Sequence, residues 1–144
     1  MASVNIKGLD SLQKHLKRIQ DMDLTDAVTK ATIYVHGQAK EFAVFDGGYS
    51  TGHLRESIHM SVSKKKTEIV GKVYTNVEYA KYVEFGTGQR GNGSYPYAEE
   101  LEFPLVYKSD WAGMVAEPFM YPAVKSGRSY VKSVLSSEIK LKMK

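Results

Sequence analysis

The sequence contains no cysteine, and this absence excludes several kinds of site at once. Without cysteine there is no disulfide framework, no thiol nucleophile and no cysteine-based zinc site. A chain of 144 residues is long enough to bury a core without such a staple, and its length predicts a single domain, residues 1–144. The chain is 42% hydrophobic and 25% charged, which is typical of a globular protein and excludes wholesale disorder.

Long apolar runs are also missing. The longest extend over only a few residues, so we expect no membrane-spanning segment and no membrane partner. The first seven residues lack the apolar stretch of a signal peptide. We therefore expect a protein that is made in a cytoplasm and is not exported by that route.

Charge and tyrosine are present but unevenly distributed. Residues 78–117 hold 3 Lys/Arg against 7 Asp/Glu, whereas residues 118–144 hold 6 against 1. Residues 79–121 also contain 10 of the 16 aromatic residues, including six of the ten tyrosines and the one tryptophan. An acidic middle beside a basic tail favours complementary surfaces, although solvated loops and a helix end that merely differ in charge would give the same pattern.

Two N-terminal helices are predicted over about residues 8–44. In the first helix, apolar residues recur at helical spacing. The second helix is predicted to begin at Asp23 and to end at Gly47 and Gly48. We expect both helices to pack on a flat partner. The apolar stripe of the first consists of Leu9, Leu12, Leu16 and Ile19.

A β-hairpin is predicted over about residues 54–75. Leu54, Ile58, Met60 and Val62 are interleaved with polar residues, as in a half-buried strand. The lysines at 64–66 mark the turn, either as a solvated tip that discourages edge pairing or as a phosphate contact.

A short helix over 79–85 and a variable loop over 86–117 follow, and Pro118 and Pro122 frame the start of a C-terminal helix over about 119–141. The glycines at 86–93 indicate a flexible loop unless a neighbour holds it. We expect a long projecting loop or hairpin around residues 88–116. The predicted fold class is α+β, an antiparallel sheet packed by N-terminal and C-terminal helices.

Catalytic signatures are not found. No pair among His15, His36, His53 and His59 has the i,i+4 spacing of a helical zinc site. The glycines after Phe85 lack the Lys-Ser/Thr end of a phosphate-binding loop. We therefore predict no enzyme activity, no cofactor and no metal site, although a dispersed carboxylate metal site, as in a small hydrolase, stays open.

Three short segments resemble one known family when they are taken in order. They read Thr-Gly-His-Leu-Arg-Glu-Ser-Ile at 51–58, Tyr-Ala-Lys-Tyr-Val-Glu-Phe-Gly-Thr at 79–87 and Pro-Phe-Met-Tyr-Pro-Ala at 118–123. Together they look like the tail-component family of long-tailed phages and prophages. The second segment is the strongest of the three, and residues 88–116 carry no family motif. The motif residues are Thr51, Gly52, Leu54, Arg55, Phe85, Gly86, Thr87, Pro118, Phe119 and Pro122.

The resemblance implies a structural virion protein of the head–tail junction, a neck, tail-completion or tail-terminator-like subunit without enzyme activity. Its implied partners are further copies of itself in a ring, six-fold or twelve-fold, with connector or head-completion proteins on the portal side and tail-terminator or tail-tube proteins on the other. Genomic DNA would pass through the channel without sequence-specific contact. Assembly would take place in the cytoplasm of the host bacterium.

Tyrosine is suited to interfaces that are wet on one edge, so the acidic, aromatic segment is the predicted contact surface. We expect its loop to reach an adjacent subunit or ring. Glu84 is a candidate partner for Arg55 or for a lysine of a neighbour. The predicted interface residues are Tyr79, Tyr82, Glu84, Tyr95, Tyr97, Tyr107 and Trp111.

A small basic nucleic-acid-binding module is the alternative function. It is favoured by the sequence pI of about 9.1 and by the lysines at 64–66 and in the last helix. The acidic middle and the lack of a nucleic-acid-binding motif oppose it.

Overall fold

Helices flank one antiparallel hairpin in the computed structural model, which describes residues 7–44 and 52–144. The predicted α+β class is confirmed. The helices are α1 (Leu9–Gln20), α2 (Thr25–Phe42), α3 (His53–Glu56), α4 (Ala80–Phe85), α5 (Gly88–Gly91) and α6 (Met120–Met143), the strands are β1 (Ile58–Lys64) and β2 (Ile69–Thr75), and a 3-10 turn covers Ala98–Glu100.

The two long helices, α2 and α6, form an antiparallel pair. Tyr34 stacks on Tyr130 with ring centroids 4.1 Å apart, and nearer the start of α6 a side-chain hydrogen bond joins Ser126 to Gln38. Between these contacts Gly127 is buried against α2, where an added Cβ would lie 3.1 Å from Cγ2 of Val35. The missing side chain therefore lets the helices approach closely.

The hairpin packs on α2. Its register runs from Ile58 opposite Thr75 to Lys64 opposite Ile69, and the lysine-rich turn lies at the tip. The imidazole Nε2 of His36, halfway along α2, donates a hydrogen bond of 2.9 Å to the carbonyl oxygen of Ile58. This bond fixes the start of β1 against the helix.

The buried core is small. Phe119 and Ile58 are the largest side chains that are fully buried among the described residues, and most of the others are alanines. In the same part of the chain, twenty large apolar or aromatic residues are exposed. The main cluster consists of Ala39, Ala43, Leu54, Ile58, Ala80, Phe119 and Ala123.

The predicted first strand begins too early. Residues 53–56 form the helical turn α3, and the strand starts only at Ile58. Gly52 precedes this turn with φ 74°, a positive value that glycine adopts without strain, and Leu54 is buried. Alternation of apolar and polar residues does not distinguish a single helical turn from the first residues of a strand. The predicted stop of α2 at Gly47 and Gly48 lies outside the described residues, and the helix ends at Phe42.

The first helix is confirmed, but the expectation that its apolar stripe packs on the fold is wrong. No residue of α1 is buried. Leu9, Leu12, Leu16 and Ile19 are 45%, 55%, 56% and 51% exposed, respectively. Its polar side chains Lys14, Lys17 and Arg18 share a shallow cleft with Lys142 at the end of α6, and the stripe is left to solvent.

Candidate assembly interface

One buried carboxylate ties the helix α4 to the start of α6. Glu84 is 5% exposed, and its two oxygens accept the backbone N–H groups of Phe119, Met120 and Tyr121 at 2.8, 2.9 and 3.0 Å. The first four N–H groups of a helix have no partner within the helix, and the next residue, Pro122, has no N–H. Glu84 therefore satisfies the free donors at this helix end and places a negative charge where the helix dipole favours it.

This arrangement corrects the role expected for Glu84. Its side chain lies inside the protein, so it is not available to a neighbouring subunit or to Arg55, which is exposed and forms no ion pair within residues 7–44 and 52–144. The same contact joins the second and third of the segments that resemble the phage family, residues 79–87 and 118–123. The second motif supplies the carboxylate and the third supplies the helix end that it caps.

Tyr95 is also buried rather than at the surface, being 4% exposed. Its hydroxyl donates a long hydrogen bond of 3.4 Å to Oε1 of Glu84, and its ring meets the edge of Phe85 at 5.1 Å between centroids. Burial, and then the nearby Glu84 carboxylate, raises the pKa of Tyr95. Tyr97 is half-buried beside it and lies against Tyr121, with ring centroids 4.9 Å apart.

The glycine-rich start of the predicted loop is held firmly by residues 111–114. Thr87 and Met114 exchange backbone hydrogen bonds of 2.8 and 3.0 Å, and the amide of Gln89 donates to the carbonyl of Trp111. Gly86 has φ 76° and ψ 176°, and a Cβ there would lie 2.8 Å from the backbone nitrogen of Ala116. Both ends of the excursion are therefore anchored, and over the described residues the Thr87–Met114 bridge takes the place of the long hairpin that was one of its two predicted forms.

Four of the predicted interface residues come together around one open groove. Its volume is about 690 Å³, and it lies between α4 and the returning loop. Tyr82 and Trp111 are 48% and 53% exposed, and the hydroxyl of Tyr107 donates to the carbonyl oxygen of Phe85 at 2.8 Å. We call this the tyrosine groove; it is lined by Tyr79, Tyr82, Phe85, Gly86, Thr87, Val106, Tyr107, Trp111 and Met114, among others.

Ordered neighbours set the walls of the tyrosine groove. A hydrogen bond of 3.0 Å joins Nδ1 of His53 to the hydroxyl of Tyr79, so α3 supports one wall. The ammonium group of Lys81 lies 5.0 Å from the ring centroid of Tyr82, which is within cation–π range. Lys108 also lines the groove. The groove thus offers aromatic faces with two lysines, a surface suited to a partner with apolar and acidic groups.

The remaining motif residues have structural positions. Phe119 is fully buried, and Pro122 is buried in the first turn of α6. The backbone N–H of Glu117, just before Pro118, donates to the carbonyl of Val83 at 2.8 Å. Thr51 lies outside the described residues.

A second groove was not anticipated from the sequence. It has a volume of about 590 Å³, is lined almost entirely by apolar side chains, and is bounded by α2, α6, β2 and residues 101–103. The periodicity of α2 and α6 marks their apolar faces but does not show which of those faces remain uncovered.

Two of the three lysines at the hairpin tip are neutralised by acids of the same chain. Lys64 contacts Asp23 at 2.6 Å, and Lys65 contacts Glu68 at 2.9 Å. The hydrogen bond from Lys64 holds the pKa of Asp23 well below its usual range. This part of the surface therefore presents less free positive charge than the sequence indicates.

No group of three or more His, Asp or Glu side chains that could hold a metal ion occurs in the part of the chain that the structure describes. Over the same residues, no helix is long and apolar enough to cross a membrane.

One comparison with known proteins gives a match. A family model described as "Bacteriophage HK97-gp10, putative tail-component" matches residues 7–86, more than half of the chain. The match includes α1, α2, the hairpin and α4, and it stops at Gly86. No curated protein and no solved structure shows significant similarity to the chain.

Proposed function

We propose, because the chain belongs to the HK97-gp10-like family of bacteriophage tail components, that it is a structural protein of the virion at the head–tail interface. In this role a ring of subunits, six-fold or else twelve-fold, joins the connector or head-completion proteins on the portal side to the tail-terminator or tail-tube proteins. The protein is a building block and not an enzyme.

The tyrosine groove is the observation that carries this proposal. Tyr79 directly precedes α4 and Tyr82 belongs to it, both inside the matched segment, whereas Tyr107 and Trp111 belong to the loop outside it. A helix inside the matched segment thus provides one wall, and a segment outside the match provides the other. Such a groove would let a shared fold recognise its own partner protein.

The chemistry of the groove fits a protein partner. Tyrosine and tryptophan contribute large rigid contact areas and keep a polar edge for water, and they dominate the binding energy of many interfaces. In the isolated chain Tyr79, Tyr82 and Trp111 are exposed to solvent. A partner surface would remove them from water.

The proposal is tested by replacing Tyr82 and Trp111 with alanine in the phage that encodes the chain. Loss of two central aromatic anchors costs about 4 kcal/mol of binding free energy, or about a thousandfold in affinity. We expect separate heads and tails in electron micrographs of the lysate and a large fall in infectious titre.

The matched control is Tyr74→Ala on β2. Tyr74 is exposed like Tyr82 but contacts the ring of His59 away from the groove. We expect joined, infectious particles from this variant. Normal head–tail joining by the double variant would contradict the proposed function of the groove.

A further inference from the structure

The unpartnered face of α1 is a regular helical stripe. Leu9, Leu12, Leu16 and Ile19 follow the i, i+3, i+7, i+10 spacing by which a helix anchors in an apolar groove. The polar side of α1 lies toward the end of α6, in the cleft that contains Lys142, so the stripe faces away from its own chain.

The groove between α2 and α6 is a matching receptor, which we call the helix groove. Its floor is formed by α2 and its walls by α6 and by residues 101–103. The described part of the chain leaves it open, and Val124 in one wall and Phe103 in the other are more than half exposed. Its lining includes Val28, Val35, Phe103, Val124, Val131 and Leu135.

The two surfaces have similar lengths. At 1.5 Å per residue, the stripe from Leu9 to Ile19 is about 15 Å long, and the wall of the helix groove from Val124 to Leu135 is about 16 Å long. The stripe of α1 is therefore long enough to span this wall of the groove.

Charge complementarity supports the docking of a basic helix in this groove. The polar side of α1 carries Lys14, Lys17 and Arg18, beside Lys142 of the same chain. The loop wall of the groove carries Glu99 and Glu102, next to the lining residues Leu101 and Phe103. Among residues 7–44 and 52–144, neither these two glutamates nor these three cations form an ion pair. The opposite wall, α6, is basic, so the acidic loop wall is the side of the groove that attracts the cations flanking the stripe, Lys17 and Arg18, whereas Lys14 lies on the far side of the helix.

We propose that α1 of one subunit docks in the helix groove of the next copy of this chain, an inference that rests on the proposed ring function. The stripe and the groove are different surfaces of one molecule. A contact between them is therefore head-to-tail, the kind that closes into a ring when the rotation is right. The tyrosine groove stays free for a different protein of the virion.

The inference is tested by chemical cross-linking in purified particles, because the chain has no native cysteine. Leu12→Cys is combined with Val131→Cys, and particles are treated with a short bis-maleimide, which tolerates an error of one helical turn in register. We expect a ladder of covalent oligomers of this chain on a denaturing gel. The matched control combines Lys14→Cys, on the opposite side of α1, with Val131→Cys, and it should give at least tenfold less product.

A second variant does not depend on register. Leu12→Glu together with Leu16→Glu places charge on the stripe, and both positions are exposed in the isolated subunit, so the subunit should remain folded. We expect at least a tenfold loss of incorporation into particles. Ser11→Glu, which adds the same kind of charge to the polar side of α1, should be incorporated normally.

The outcomes separate the two proposals. A ladder in particles that contain the chain supports α1 docking between copies. If the chain is present but is cross-linked only within itself, only to a different protein or not at all, the docking inference is overturned and the proposed function stands. If the chain is absent from particles, the proposed function fails and the inference fails with it.

Discussion

Glu84 Oε2 accepts the backbone N–H of Phe119 at 2.8 Å, a contact between residues 35 positions apart in the chain. Through it, the last turn of α4 determines where α6 begins. The tyrosine groove depends on this link, because Tyr79 and Tyr82 stand next to and within α4, and the returning loop leads directly into α6.

Removing this carboxylate should destabilise the fold. We expect Glu84→Ala to lower the free energy of unfolding by about 3 kcal/mol, since three N–H groups at the start of α6 lose a charged acceptor. Glu84→Gln, which keeps one carbonyl oxygen, should cost roughly half as much. Urea unfolding at neutral pH measures both. The control is the exposed Glu78→Ala, which should change stability by less than about 0.5 kcal/mol, and an equal effect of Glu78→Ala and Glu84→Ala would contradict the capping role.

The sequence predicted the regular elements well because their patterns are local. The stripe of α1, the alternation of β1 and the periodicity of α6 each lie within one element, and all three elements are present. The role of Glu84 was missed since its partners are remote and are backbone groups, which leave no trace in residue type. On an amphipathic turn, a buried capping glutamate cannot be told from a solvated one.

The predicted interface stays a prediction, and residue type alone could not resolve which of its members are buried. The surplus of aromatic residues pointed to the segment that lines the tyrosine groove, where Tyr79, Tyr82, Tyr107 and Trp111 meet. The same reasoning included Tyr95, which the structure buries against Glu84 and Phe85. Residue type alone does not separate a tyrosine that packs inward from one that faces a partner.

Tyr95 should make stability fall at high pH. Burial raises its pKa in the folded state above the ordinary value of 10.0, so the unfolded chain releases this proton first. The contribution of Tyr95 to the free energy of unfolding is therefore complete below about pH 10, and it is lost as the pH rises further. We expect Tyr95→Phe to lose less stability than wild type between neutral and strongly alkaline pH, measured by urea unfolding across that range.

At neutral pH the same variant should differ from wild type by no more than about 1 kcal/mol, because the hydroxyl makes only one long hydrogen bond. Tyr74→Phe, an exposed tyrosine, is the control and should follow the wild-type pH dependence. If Tyr95→Phe also follows the wild-type curve, burial of this hydroxyl is not the cause of the alkaline loss.

Glu100 should contribute to the stability of the fold at neutral pH and lose this contribution in acid. Its carboxylate accepts hydrogen bonds from Lys125 at 2.6 Å and from Tyr121 at 2.7 Å, and the pKa of Glu100 is lowered by these contacts, that of Lys125 first. A carboxyl group whose pKa is lowered in the folded state stabilises the fold at neutral pH. This stabilisation is lost as the pH falls below the ordinary pKa of 4.5 and through the pKa of the folded state.

We therefore expect the 3-10 turn to loosen from α6 in acid and become more accessible to a protease that is active at both acidic and neutral pH, with cleavage expressed relative to that of the unfolded chain, while Glu100→Gln shows similar relative cleavage at the two pH values. Glu99→Gln, in the same turn but without an ion pair among the described residues, should retain the wild-type pH dependence. If cleavage of the wild type does not increase in acid, Glu100 does not hold this turn to α6.

Gly86 and Gly93 offer a matched pair for the anchoring of the loop. Both have positive φ, 76° and 74°, but an added Cβ at Gly93 meets nothing within 4 Å, whereas at Gly86 it lies 2.8 Å from the nitrogen of Ala116. Gly93→Ala should therefore cost only the conformational strain, about 1 kcal/mol. Gly86→Ala puts a side chain at φ 76° and ψ 176°, a backbone region essentially restricted to glycine, and adds a clash with backbone that is fixed by the Thr87–Met114 bridge, so we expect it to cost at least about 3 kcal/mol in urea unfolding. Equal losses of unfolding free energy in the two variants would mean that residues 111–116 move aside easily. The loop wall of the tyrosine groove would then not be rigidly held.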